Sequence, residues 1–260
     1  MFTVIDNLSQ FLPAYLLIFA RISGLMISMP VFSYSQISTQ IRVMLAFVFT
    51  IIIGPLIITD FNVAITSVLG LFLHIMRELF IGLLIGFGAR LVFEGFAMAG
   101  SFIGLQMGMA IMTVFDPTHE EQQPIISNFW IMVVVVFFLV TNSHYFLIET
   151  LFQNFKMIKL GAATLKPGVG QIIISGGSII YDLALKFAAP SMIFLLTVDV
   201  AIAFMARVMP QLNIFFISLP LKLGIGIILL IVSLRIFQGL FSYIINEMQV
   251  FVHLIIRGMQ

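Results

Sequence analysis

The residues able to do chemistry are few in this chain, and most lie where a charge is expensive. Charged residues make up 9% of the 260, against 61% hydrophobic. Arg21, Arg77, Glu78, Asp182, Lys186, Asp199, Arg207 and Arg235 all fall inside long apolar runs. At membrane depth each such charge costs about 2.5–3.5 kcal/mol on insertion scales. They must either pair inside the protein or lie against other protein rather than lipid. Asp182 and Lys186 stand four apart in the acid-first order that pairs on one helical face, and Arg90 and Glu94 are four apart as well. A satisfied pair explains Asp182–Lys186 better than a proton relay does. His119-Glu120-Glu121 is the one His–carboxylate cluster. It could hold a metal or a proton, but a solvated loop explains it far better.

The usual catalytic patterns are missing from the sequence. There is no HExxH metal pair, no GxSxG elbow and no GxxxxGK[ST] phosphate loop. Zero cysteines remove thiolate sites and disulfides. The expectation is a protein that is not an enzyme and has no cofactor or metal site. A net charge of +1 without a basic stripe argues against nucleic acid as a partner.

The elements that must position these charges read as membrane helices. A mean hydropathy of +1.19 leaves too little polar surface for a water-facing fold, so lipid or apolar protein must cover the outside. The first ten residues, MFTVIDNLSQ, carry no Lys or Arg. The first apolar run, Phe11 to Met29, therefore reads as a retained helix rather than a cleaved signal. Further apolar segments run from Val43 to Thr59, from Val63 to Phe93, from Pro124 to Ile148, from Gln171 to Met209 and from Leu221 to Ile256. Arg77-Glu78 is expected to divide the third of these, and Gly239 to end or bend the last. The lysines at 156, 159 and 166, with only Glu149 against them, suggest a cytoplasmic loop.

One stretch departs from the pattern. Residues 95–124, GFAMAGSFIGLQMGMAIMTVFDPTHEEQQP, open as a helix and end in Asp-Pro and an acidic run. Gly100, Gly104 and Gly108 recur every four residues, a bare strip on which another backbone can pack; Gly82 and Gly86 repeat the spacing upstream. Met98, Met107, Met109 and Met112 crowd the same piece. Methionine suits a surface that must repack around changing partners, although ordinary core methionines would read the same. A secondary transporter with a broken-helix substrate site is the competing reading.

Gly104-Leu105-Gln106-Met107-Gly108 followed by Phe115-Asp116-Pro117 resembles the signature of the FliR family of flagellar type III export-gate components, similar to the SctT family of virulence secretion. Arg21 through Pro30 to Arg42 resembles the family's first connector. Asn142-Ser143-His144 resembles its NGH-type segment, with Ser143 where glycine is usual. Arg207-Val208-Met209-Pro210-Gln211-Leu212-Asn213-Ile214-Phe215, then Ser218-Leu219-Pro220-Leu221-Lys222, resembles its RxxPQxNxFxxxxPxK block. The resemblance covers nearly the whole chain.

The resemblance implies an all-α integral membrane protein of long helical hairpins with broken helices. It would form a single domain over 1–260, a FliP-like portion to about 170 with a plug loop at 106–123, then a FliQ-like hairpin over 171–260. The implied site is a channel plug of Gln106, Met107, Met109, Met112, Phe115, Asp116 and Pro117. Charges at Arg21, Arg77, Glu78, Arg90, Glu94, Asp182, Lys186, Asp199, Arg207 and Lys222 would be buried or face other subunits. The implied partners are FliP, FliQ and FlhB, unfolded export substrates and membrane lipid. The implied place is the bacterial inner membrane at the centre of the flagellar basal body.

Overall fold

The computed structural model describes residues 2–33, 37–58, 67–109, 125–161, 168–211 and 213–259, and among these the chain is helical almost throughout, with no strand. The helices are α1 (Phe2–Ser28), α2 (Pro30–Ser33), α3 (Thr39–Ile57), α4 (Val68–Gln106), α5 (Ile125–Val140), α6 (His144–Met157), α7 (Val169–Val208) and α8 (Ile214–Gly258). Five of them are long and apolar enough to cross a membrane, and the broken pair α5 and α6 together would make a sixth. This is the all-α membrane architecture expected, because in lipid every backbone polar group must be satisfied within its own segment.

Local residues explain the helix ends. Ser38 caps α3, its hydroxyl accepting from the Ile41 amide at 3.4 Å. The Ser67 hydroxyl does the same for α4, accepting from Gly70 at 3.0 Å. Three sequence expectations are corrected. Arg77-Glu78 does not divide α4, which runs unbroken from Val68 to Gln106; Glu78 is fully buried and paired, so its charge needs no break in the helix. The stretch Gln211 to Pro220, which reads in sequence as a second turn, instead enters α8 at Ile214, with Pro220 inside the helix at the loss of one backbone bond. Gly239 neither ends nor interrupts α8.

The span expected from Pro124 to Ile148 breaks at residues 141–143, where Asn142 takes φ +58°. Asparagine is among the few side chains that visit this left-handed region readily. Ser143 has φ −63° and ψ −18°, which any residue adopts, so serine in place of the usual glycine costs nothing there. Asn142→Val is therefore expected to lower stability by about 1–2 kcal/mol, with Asn142→Gly near neutral. Thermal unfolding in detergent checks both.

The chain forms two compact units. The first comprises Met1–Leu91, Leu139–Gly176 and Glu247–Gln260. Its centre is the packing of α1 against α3 and against the first half of α4. Gly24 lies against the backbone of Leu79 and Leu83, Gly82 against Arg21 and Leu25, and Gly86 against Leu25 and Ser28. Small residues four apart on both helices, Gly24 with Ser28 and Gly82 with Gly86, let two backbones meet. Gly88 and Gly176 similarly receive side chains of the α8 end, among them Phe251.

The second unit comprises Val92–Phe138 and Gly177–Asn246. An aromatic cluster forms its core. Trp130, the chain's single tryptophan, packs edge-on to Phe187 at 4.6 Å, and Phe96 stands edge-on to Phe187 and Phe237 at 5.0 and 5.1 Å. Beside it Gly100 sits on the backbone of Ile126 and Ser127. The Ser127 hydroxyl donates to the Ala97 carbonyl at 2.6 Å and lies 2.7 Å from the Ser101 hydroxyl. These contacts fix the last turns of α4 against α5.

Candidate functional site

The two most specific sequence blocks are far apart in the chain but meet in the second unit. Gln106 ends α4, Asp199 lies near the end of α7, and Lys222 lies in the early turns of α8. The Gln106 amide Nε2 donates to Asp199 Oδ2 at 3.1 Å. Lys222 Nζ forms an ion pair with the other oxygen, Asp199 Oδ1. One carboxylate thus ties three helices together, with its charge answered by a lysine whose side chain is 18% exposed.

The backbone around Gln106 is as specific. Gly108 has φ +81°, and its amide donates to the Leu105 carbonyl while the Met109 amide donates to Gly104. Those two bonds close the helix end with a glycine in the left-handed position. Gly108 was expected to serve helix packing. It terminates α4 as well, and a side chain there would also run into Leu219. Met107 is 1% exposed and its side chain fills the space over Gly226. Leu219, Lys222 and Gly226 lie three and four apart, on one face of α8. That face therefore receives Gly108, Met107 and, through Asp199, Gln106.

The remaining plug residues are distributed as follows. Met107 lies inside the unit, Met109 is half-buried, and Met112, Phe115, Asp116 and Pro117 lie outside the described residues, as do His119, Glu120 and Glu121. Gly104 is buried.

The other charges sort into three groups. Arg21 and Glu78, in the first unit, are 1% and 0% exposed and bonded at 2.5 Å, Arg21 Nε to Glu78 Oε2. Arg21 Nη1 also donates to Asn154 Oδ1 at 3.0 Å and the Ile158 carbonyl at 2.9 Å, and its guanidinium lies over Phe155. Glu78 Oε1 accepts from the Gly161 amide at 2.8 Å. Asp182 and Lys186 are bonded at 2.6 Å on an exposed face. Arg77, Arg90, Arg207 and Arg235 are exposed on this chain, and Glu94 is half-buried. Sequence reasoning missed Asn154, Gly226 and Gly24. Only Gly24 left a readable signal, its spacing of four from Ser28.

The exposed surface of the second unit is apolar and long. On α8 the exposed side chains include Phe215, Ile228, Ile236 and Tyr243, and on α7 Tyr181, Phe194, Phe204 and Val208. Each stretch extends for roughly 40 Å at 1.5 Å per residue, beyond a hydrocarbon core of about 30 Å. Exposed Asp182, Lys186, Arg207 and Arg235 stand on the same helices.

Comparison with known proteins agrees with the motifs. A family model described as bacterial export proteins, family 1, matches residues 12–248. The flagellar biosynthetic protein FliR of Bacillus subtilis (strain 168) is 30% identical over 253 residues, covering 94% of this chain and 96% of its own length. That of Escherichia coli (strain K12) is 30% identical over 230 residues, 87% of each chain. That of Aquifex aeolicus (strain VF5) is 27% identical over 226 residues, 86% of each.

Proposed function

This chain belongs to the bacterial export proteins, family 1, and we propose from that premise that it is a subunit of the flagellar type III export gate. In this reading it helps to form and seal the channel through which unfolded flagellar proteins cross the bacterial inner membrane, at the centre of the basal body. The observation that carries the proposal is the meeting of the two signature blocks, Gly108 of the first lying against Leu219 of the second and Gln106 and Lys222 sharing Asp199. The segment that follows Gly108 leaves from a fixed, well-packed point, as a seal in a channel must. The flagellar names of the relatives support a flagellar rather than a virulence system.

The mechanism is steric and apolar, with no bond made or broken. Met109, Met112 and Phe115 occlude the channel when idle and repack around a passing chain, which unbranched and aromatic side chains can do at low cost. The partners are FliP-, FliQ- and FlhB-like membrane chains, with residues 171–260 as a FliQ-like hairpin after a FliP-like portion. The long apolar and charge-bearing faces of α7 and α8 support cover by protein.

Deleting residues 109–113 tests the seal while sparing Met107, which packs the core. The variant is expected to co-purify with the other gate chains at wild-type yield and to let potassium leak from inner-membrane vesicles. Wild-type tightness in an assembled, exporting variant would exclude the seal.

A further inference from the structure

We propose that Gln106, Asp199 and Lys222 form a latch in which the ion pair is the fixed receptor and Gln106 the releasable part, so that export-competent opening begins by parting Gln106 from Asp199 and Met107 from Gly226. The inference rests on the gate reading above and assigns the position at which the seal is held.

The chemistry of the three groups divides their roles. Lys222 and Asp199 neutralise each other in a partly desolvated place, with side chains 18% and 36% exposed. Separating them would strand two charges, which is costly away from water. Gln106 carries no charge, so its departure strands none. Asp199 Oδ2 then loses one charge-assisted hydrogen bond but keeps its lysine. Such a bond holds a closed state by a factor of roughly ten to a hundred, strong enough to set a resting position and weak enough to break in use.

Position reinforces the chemistry. Gln106 is the last residue of α4, two before the left-handed Gly108. A pull on the chain beyond Gly108 therefore reaches Gln106 and Met107 first. Met107 sits over Gly226 as a side chain over a bare backbone, a contact that can slide out without breaking any hydrogen bond. Lys222 and Gly226, one turn apart, carry the polar and the apolar halves of the receptor on one helix.

The test uses the assembled gate in inner-membrane vesicles, with idle potassium release as the readout and export measured in the same strains. Gln106→Met keeps the length and removes the hydrogen bond; its leak is expected to rise roughly ten- to a hundredfold. Gln106→Glu sets a second carboxylate against Asp199 and should leak more. The double variant Gln106→Glu with Asp199→Asn exchanges amide and carboxylate across their contact, keeping one carboxylate in the cluster to answer Lys222, and should return the leak to within a few-fold of wild type. A residue that only stabilised the fold would not be rescued by that exchange. Tight vesicles from Gln106→Met, with the 109–113 deletion leaking, would overturn the latch and leave the gate reading standing. If neither variant leaks, both readings fall. A leaky double variant would overturn the assignment of Asp199 as receptor.

Discussion

Replacing Arg21 with alanine is expected to cost about 3–5 kcal/mol, the range measured when one partner of a buried ion pair is removed. The reason is what remains. Glu78 is fully buried, and among the described residues Arg21 Nε is its charged partner, while its other oxygen accepts from the Gly161 amide. Asn154 Oδ1 and the Ile158 carbonyl lose their shared donor at the same time. Against a total stability of about 5–15 kcal/mol, the chain should accumulate poorly and melt early in detergent. Arg21→Lys should recover only part of the loss, because an ammonium cannot reach Glu78, Asn154 and Ile158 as the planar guanidinium does. The double change Arg21→Met with Glu78→Leu should be much milder than Arg21→Ala, since it strands no charge. Wild-type melting of Arg21→Ala would mean that the pair carries little of the first unit's stability.

This network also marks what the sequence could and could not disclose. That Arg21 and Glu78 must be answered by something was readable from their depth in apolar runs. That they answer each other, 57 positions apart, was not, because periodicity constrains only neighbours on one helix. Asp182–Lys186, four apart, was legible for that reason and is bonded. The helical class and the approximate spans followed from hydropathy. The exact breaks did not. A glutamate that looked like a helix divider lies inside α4 once paired, while the real interruption falls at Asn142, whose backbone preference is weak in sequence but decisive in φ. Gln106 and Lys222 came from motif resemblance. Their common partner Asp199 was noticed only as a misplaced charge, and Gly226 offered no signal, since the need for a bare backbone arises from the methionine lying over it.

The second large effect is expected at Gly82, and it has a sign that separates two explanations. In an ordinary helix interior, alanine is better than glycine by about 1 kcal/mol. If Gly82 were merely tolerated, Gly82→Ala would stabilise the chain. At this position, however, a Cβ would strike backbone, meeting the Arg21 carbonyl and approaching the Leu25 amide to 2.8 Å. Backbone cannot swing aside as a side chain can, so α1 and α4 must separate, at a cost typical of overpacking, about 1–3 kcal/mol for alanine and more for leucine. Gly239→Ala is the matched control, because nothing lies within 4 Å of its Cβ position and propensity alone should act. Opposite signs are therefore expected for the two alanine variants in detergent melts. Separation of the helices would also draw Arg21 from Glu78, since Gly82 follows Glu78 by one turn and faces the Arg21 backbone. Gly82→Leu and Arg21→Ala should then destroy much of the same interaction, and the double variant should lose clearly less than the sum of the two singles. Additive losses would mean that the glycine contact and the ion pair stabilise the first unit independently.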